Sequence, residues 1–303
     1  MPYSWVSAQK NKKFERIYVY NLPPIRCGSA ALDLEYKVAT NQKSQITNPK
    51  LLAPVLCAEK KGIISLIGGG GKTTLMFRLA KELAEAGKKV LTTTTTNIML
   101  PDKSLSPTTL LADSTEDLIL KSEAALKQYP HFSAASHYNC ETGKLKGLAP
   151  NTIDELAQSK LFDYIIVEAD GARQKPLKAT DSHEPVLPGL TSILILLAGL
   201  DALGQALDEE YVHRAQIISR NTGLELSALI DEGTVFRILK TELEKAASLC
   251  NAKEYIVFLN KADTGESLQS AMFISKMLEN DSLADKILIA ARLNFFDKGF
   301  PTK

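Results

Sequence analysis

Four cysteines in 303 residues, Cys27, Cys57, Cys140 and Cys250, never approach Cys-x-x-Cys spacing, which excludes a structural zinc or a dithiol redox site built on such a pair. That sparse usage suits a reducing compartment. Charge of one sign is also missing: 36 Lys and Arg face 35 Asp and Glu. No general electrostatic case therefore exists for nucleic acid or an anionic membrane, and neither is expected as a partner. No apolar run approaches the ~20 residues that span a bilayer. The longest, Ile193 to Ala198 with Leu200 beyond Gly199, reads as a buried strand. The opening MPYSWVSAQKNKKFER carries charges where a signal peptide would be apolar, so the expected location is the cytoplasm. Repeats and low-complexity tracts are absent.

What is present changes character along the chain. Residues 1–50 are rich in Pro, Asn, Ser and Lys, with only RIYVY (16–20) strand-like, and read as an amino-terminal extension. From residue 51 to 303 apolar β-branched runs alternate with helical segments. The expected strands are GIISLI (62–67), KVLTTT (89–94), DYIIVEA (163–169), SILILLA (192–198), EYIVFLN (254–260) and KILIAA (286–291). These are continuous rather than alternating apolar runs, the mark of parallel strands covered on both faces. The expected helices are 72–86, 114–128, 152–159, 209–219, 234–249 and 267–279, while 129–150 reads as a polar hairpin or loop. The pattern predicts an α/β fold, a doubly wound, mostly parallel sheet of the P-loop NTPase type.

The strongest chemical signal is ISLIGGGGKTTLMFRLA (63–80): a buried strand, four glycines, Lys72-Thr73-Thr74, then an amphipathic helix. Gly68, Gly69, Gly70 and Gly71 let backbone N–H groups turn inward, the helix dipole adds positive potential, Lys72 reaches terminal phosphates, and the Thr73 hydroxyl ligates Mg²⁺. Leu66 stands where the usual spacing has its first glycine, so the loop is a compact G-x-x-G-K-T form. The plainer alternative is a glycine-rich turn closing a strand-helix unit.

A second signal, FDYIIVEADGARQKPLK (162–178), ends a buried strand in Glu168 and Asp170, acids placed to hold Mg²⁺ or orient a water. Arg173, Lys175 and Lys178 then supply cations for a second, anionic substrate, or form a solvated basic loop. Third, Asn260-Lys261-Ala262-Asp263 matches N-K-x-D, in which the Asp accepts two guanine N–H groups and the Lys stem packs on the ring; adenine lacks that donor pair. IAAR (289–292) falls where a final base-contacting loop would lie. Thr94, Thr95 and Thr96 end a strand at the sheet's carboxyl edge, as phosphate or metal contacts or simply as β-branched residues. His183-Glu184 follows the basic loop as a substrate or metal candidate, whereas His137-x-x-Cys140 has too few companions for zinc.

Taken together, GGGGKTTLMFRLAKEL, KVLTTTTTNI, VEADGARQKPLKATDSHEPVLP, GLDALG and LNKAD resemble the selenium-dependent hydroxylase accessory protein family, YqeC-like, over about residues 52–292. Ala179-Thr180-Asp181-Ser182 departs from that family's Pro-containing spacing before His-Glu-Pro. The resemblance implies a P-loop protein serving maturation of selenium-dependent molybdenum hydroxylases. It carries over Gly68 to Gly71, Lys72 and Thr73 for phosphate and Glu168 with Asp170 for the acidic site. It also carries over Arg173, Lys178, His183 and Glu184 for a substrate side, and Asn260, Lys261 and Asp263 for the base. The expected activity is Mg²⁺-dependent GTP or ATP hydrolysis, or nucleotide-dependent transfer, with Lys72, Glu168 and Asp170 as catalytic residues and the molybdenum cofactor or a molybdenum hydroxylase as partner. Two further readings stand beside it: a nucleotide-switched carrier that does no chemistry on the cofactor, and an ATP-dependent small-molecule ligase.

Overall fold

The structure, a computed structural model, describes residues 16–20, 51–57 and 61–291. Apart from strand β1 (Arg16–Tyr20), the expected extension over 1–50, with Cys27, lies outside the described residues, as does Arg292 of the IAAR segment. The elements that follow are α1 (Ala53–Leu56), β2 (Gly62–Gly68), α2 (Lys72–Glu85), β3 (Val90–Thr94), β4 (Asn97–Met99), β5 (Thr109–Leu111), α3 (Thr115–Ala125), β6 (His131–Ala135), β7 (His137–Asn139), β8 (Lys144–Lys146) and α4 (Pro150–Gln158). After them come β9 (Tyr164–Glu168), β10 (Leu177–Lys178), β11 (Thr191–Gly199), β12 (Val212–His213), α5 (Ala215–Thr222), α6 (Glu232–Leu249), β13 (Glu254–Asn260), α7 (Gly265–Asp281) and β14 (Lys286–Ala290).

Nine strands form one sheet in the order β1-β14-β13-β11-β2-β9-β3-β6-β5, and every pairing in it is parallel. Side chains alternate across it. Ile193, Ile195, Leu197, Ile256, Phe258 and Leu288 pack with α1 and α2, whereas Leu194, Leu196, Val257, Leu259, Ile287 and Ile289 pack with α3 to α7. Burial on both faces explains why these strands read as continuous apolar runs. Helices on both faces of a parallel sheet are the doubly wound arrangement the sequence predicts. Each fully buried Leu or Ile contributes about 1.5–3 kcal/mol relative to exposure.

Several local expectations change. The 129–150 excursion does contain an antiparallel hairpin, β7 with β8, which β4 extends to a three-stranded sheet. Its first residues, His131–Ala135, are instead an internal strand of the main sheet, buried at every position. HFSAA carries no β-branched run, so nothing local announces it. The helix expected over 209–219 starts only at Ala215, because Val212 and His213 pair in parallel with Leu177 and Lys178. Cys57, Cys140 and Cys250 are free thiols, and no described helix is long and apolar enough to cross a membrane.

The connections after β2 and β9, which are neighbours, leave in opposite directions along the sheet: β2 leads to β3 on one side, and β9 leads to β11 on the other. Such a switch point opens a crevice beyond the carboxyl ends of the two strands. The glycine loop, Thr94 to Thr96, Glu168, Asp170 and Asn260 to Asp263 all follow strands that end on that edge.

Candidate functional site

The loop from β2 to α2 is forced by close approach. Gly68 has φ +93, and a Cβ there would lie 2.2 Å from the Leu197 carbonyl oxygen; Gly70 has φ +77, and its Cβ would meet the Gly199 nitrogen at 2.3 Å. Only glycine combines that conformation with that contact. The expected cradle of glycine amides is narrower than the sequence suggests. Gly68 N–H donates to Asp170 Oδ2 (2.9 Å), Gly69 N–H to Leu197 O (3.0 Å) and Gly70 N–H to Lys175 O (3.0 Å). The first turn of α2 is different: Gly71 is its N-cap with no side-chain cap, and among the described residues no protein acceptor meets the N–H groups of Gly71, Lys72, Thr73 or Thr74. Four orphan amides thus gather at the positive end of a helix, a feature that favours negative charge.

Lys72 is 4% exposed. Its ammonium donates to Gly68 O (2.6 Å), lies 3.0 Å from Asp170 Oδ1 and stands 3.8 Å from Glu168 Oε1. Burial pulls its pKa down, but Asp170 and Glu168 outweigh that and raise it, so the cation persists. Glu168, at the end of β9, accepts from Thr73 Oγ1 at 2.7 Å. Burial pushes its carboxyl above the usual range against the pull of Lys72 and of that hydrogen bond. Asp170 is fully enclosed. Its Oδ2 is held by Gly68 N–H and by Lys178 Nζ (3.1 Å), while Oδ1 has Lys72 as ionic neighbour but no well-directed hydrogen bond among the described residues.

From Asp170 the charges continue in alternation. Lys178, with no side-chain exposure, donates to Gly171 O (2.6 Å) and Glu184 Oε2 (2.6 Å), and Arg214 Nη1 meets the same Glu184 oxygen at 2.6 Å. Burial pushes Glu184 up, yet hydrogen bonds from Lys178 and Arg214 prevail and hold its carboxyl at about 2. Of the other substrate-side candidates, Arg173 and His183 are exposed, and Arg173 has φ +48.

The threonines at the end of β3 are braces in this arrangement. Thr94 Oγ1 donates to Glu168 O (2.7 Å) and receives the Thr96 N–H (3.0 Å), and Thr95 Oγ1 donates to Val186 O (2.8 Å). They fix the backbone of the acidic strand end and of the loop beyond it. Across the crevice, Asn260 Nδ2 donates to Gly70 O (2.6 Å), tying the end of β13 to the glycine loop. Lys261, with φ +66, pairs with Asp201 Oδ2 at 2.6 Å. Ala262 N–H donates to Ala290 O (2.9 Å), so the segment carrying half-buried Asp263 is tied to the carboxyl end of β14.

Sequence reasoning missed three polar residues here. Asp201 follows strand β11 at the crevice edge, where an acid after a long apolar run was a usable signal. Arg214 and His213 carry no local signal, because their place depends on the β10–β12 pairing. His213 is 8% exposed and its Nδ1 finds no hydrogen-bond partner among the described residues.

A family model described as "YqeC protein" matches residues 64–216. The span covers the glycine loop, both acids, the basic loop and His213, and stops before Asn260–Asp263. The "Uncharacterized protein YqeC" of Escherichia coli (strain K12) is 37% identical over 186 residues, 61% of this chain and 70% of that protein. The chain belongs to the YqeC family.

Proposed function

From that membership, we propose that the protein is a Mg²⁺-dependent nucleotide-binding protein of the P-loop type, a hydrolase of GTP or ATP or a nucleotide-dependent transferase. We place its work, on the resemblance of its motifs, in maturation of selenium-dependent molybdenum hydroxylases or their cofactor. The observation that carries the nucleotide reading is the juxtaposition of the uncapped α2 amino terminus with the Lys72 ammonium, directly beside Glu168. Phosphoryl chemistry asks a protein chiefly for positioning and charge stabilisation. Lys72 and the amides of 71–74 supply both for phosphate oxygens.

Thr73 Oγ1 and Glu168 Oε2 already converge at 2.7 Å, a pair of hard oxygen donors that fits Mg²⁺. Among the described residues no group of three or more His, Cys, Asp or Glu is set to hold a metal unaided, so water and phosphate oxygens would complete its shell. Mg²⁺ there would neutralise phosphate charge. Asp170 is engaged by Gly68 and two lysines, which suits orienting Lys72 better than ligating the ion. Asn260, Lys261 and Asp263 favour guanine, with Asn260 positioning the glycine loop.

One observation favours a second reading, a nucleotide-switched carrier. The chain of charges from Lys72 through Asp170 and Lys178 to Glu184 and Arg214 links the phosphate loop to the segment after Gly171, so a nucleotide that draws Lys72 away unbalances that segment.

Calorimetric titration of Mg·GTP and Mg·ATP tests the proposal. GTP is expected to bind more tightly, with the preference lost in Asp263→Ala and the binding of both nucleotides strongly weakened in Lys72→Ala. Equal affinities reduce the N-K-A-D loop to a structural turn, and undiminished binding in Lys72→Ala removes the phosphate assignment.

A further inference from the structure

The segment from Asn260 to Thr264 is held from separate sides. Asn260 Nδ2 donates to Gly70 O in the glycine loop, Ala262 N–H donates to Ala290 O at the end of β14, and Thr264 caps α7 by accepting the Ser267 N–H. Lys261 is held through its side chain. Its ammonium meets Asp201 Oδ2 at 2.6 Å, and its backbone has φ +66, a conformation that a residue other than glycine keeps only where its surroundings impose it. Asp201 is fixed well enough to serve as that anchor. It lies in the turn Leu200–Ala202 after β11, between two buried residues, Leu200 and Ala202. A Cβ on Gly199 would lie 2.6 Å from Asp201 Oδ1, so the carboxylate folds back over a strand end that is in register with Asn260. The pair itself is partly solvated, with side-chain exposures of 37% for Asp201 and 19% for Lys261. An ion pair so exposed adds little to stability. Its consequence is local: it confines a long, flexible side chain to one arrangement, and Lys261 is the residue whose stem the N-K-x-D reading sets against a purine ring.

We propose that Asp201 is a positioning residue for the nucleotide base. By anchoring the Lys261 ammonium it keeps the Lys261 stem laid out as a preformed shelf, so the purine binds without first ordering that side chain. The proposal rests on the nucleotide reading of the site but not on guanine, because the stem packs on either purine while Asp263 alone reads the donor pair.

The test is calorimetric titration of the full-length protein with Mg·GTP, Mg·ATP and, as a ligand lacking base and sugar, Mg·tripolyphosphate. Asp201→Ala is expected to weaken both nucleotides about fivefold, the cost of ordering one long side chain, and to leave tripolyphosphate within about twofold. Asp201→Glu, which keeps the carboxylate, is expected to recover part of the loss. In Lys261→Ala protein the further change Asp201→Ala is expected to have no effect, since a residue that acts through Lys261 has nothing left to act on. Unchanged nucleotide affinity in Asp201→Ala overturns the proposal. So does an equal loss for tripolyphosphate, which would make Asp201 a support of the glycine loop through Gly199, and so does an undiminished loss in the Lys261→Ala background. Wild-type protein that binds tripolyphosphate as tightly as either nucleotide has no base shelf, and the proposal then falls while the phosphate site stands. Wild-type protein that binds none of the three removes the proposed function and this proposal with it.

Discussion

Two buried polar regions of this protein sit barely one strand apart and differ in kind. At the carboxyl ends of β2 and β9, Lys72, Glu168, Asp170, Lys178, Glu184 and Arg214 form a chain of full charges. Between β3 and β6, Thr92 Oγ1 contacts His131 Nε2 (3.1 Å) and Ser133 Oγ (2.8 Å), and Ser133 Oγ meets Ser106 Oγ (2.9 Å), with no ion among them. The neutral seam is closed by its own partners. The charged chain contains desolvated ions that a purely structural role would not require, since apolar replacements of buried ion pairs are often neutral or stabilising. Full charges gather at the carboxyl ends of β2 and β9, and hydroxyls suffice where β3 is joined to β6.

The largest test of that contrast is Lys178→Ala, which leaves Glu184 and Asp170 short of a buried cation. Urea unfolding should show a loss of about 3–5 kcal/mol, and a change under about 1 kcal/mol would mean that the chain of charges does not hold the loop. Next, Lys72→Ala should weaken Mg·nucleotide binding by about a hundredfold or more, roughly 2.7 kcal/mol, whereas Thr92→Val should leave it within about twofold because no partner is shared. Comparable losses in both variants would erase the distinction between the regions.

A third expectation concerns acid. Burial depresses His131 from 6.5 to about 4. Below pH 6.5 the unfolded chain takes up a proton that the folded chain refuses, so this stability is complete above 6.5 and is lost as pH falls toward about 4. Thermal melts across that window should lose the corresponding one-proton slope in His131→Gln. An unchanged slope would place the titrating group elsewhere. The smallest effect is expected for Ser133→Ala, about 1 kcal/mol by urea unfolding for a hydroxyl whose neighbours retain other partners, and a loss as large as that of Lys178→Ala would show the neutral seam to be as demanding as the charged one.

Much of this was legible in the sequence because the central strands are buried on both faces and announce themselves as apolar runs. The glycine loop was equally legible, since backbone geometry demands glycine at Gly68 and Gly70 whatever surrounds them. Strand β6 was not, because HFSAA is buried by the neighbours it joins rather than by its own hydrophobicity. The threonines at the end of β3 do lie at the sheet's carboxyl edge, but the Thr94 and Thr95 hydroxyls turn to the Glu168 and Val186 carbonyls, a choice made by strand adjacency. His213 was assigned to a helix that starts two residues later.

By itself, then, the sequence determined the α/β class, the order of strands and helices around the loop, and the residue types that converge on the sheet's carboxyl edge. These follow from periodicity and backbone constraint, which act over a few residues. Tertiary structure alone decided which glycine amides remain open, that Asp170 serves two lysines, and that His213 and Arg214 join residues some thirty to forty positions earlier. Each depends on which strands pair, and electrostatic energy between charges is set by distance in space rather than along the chain.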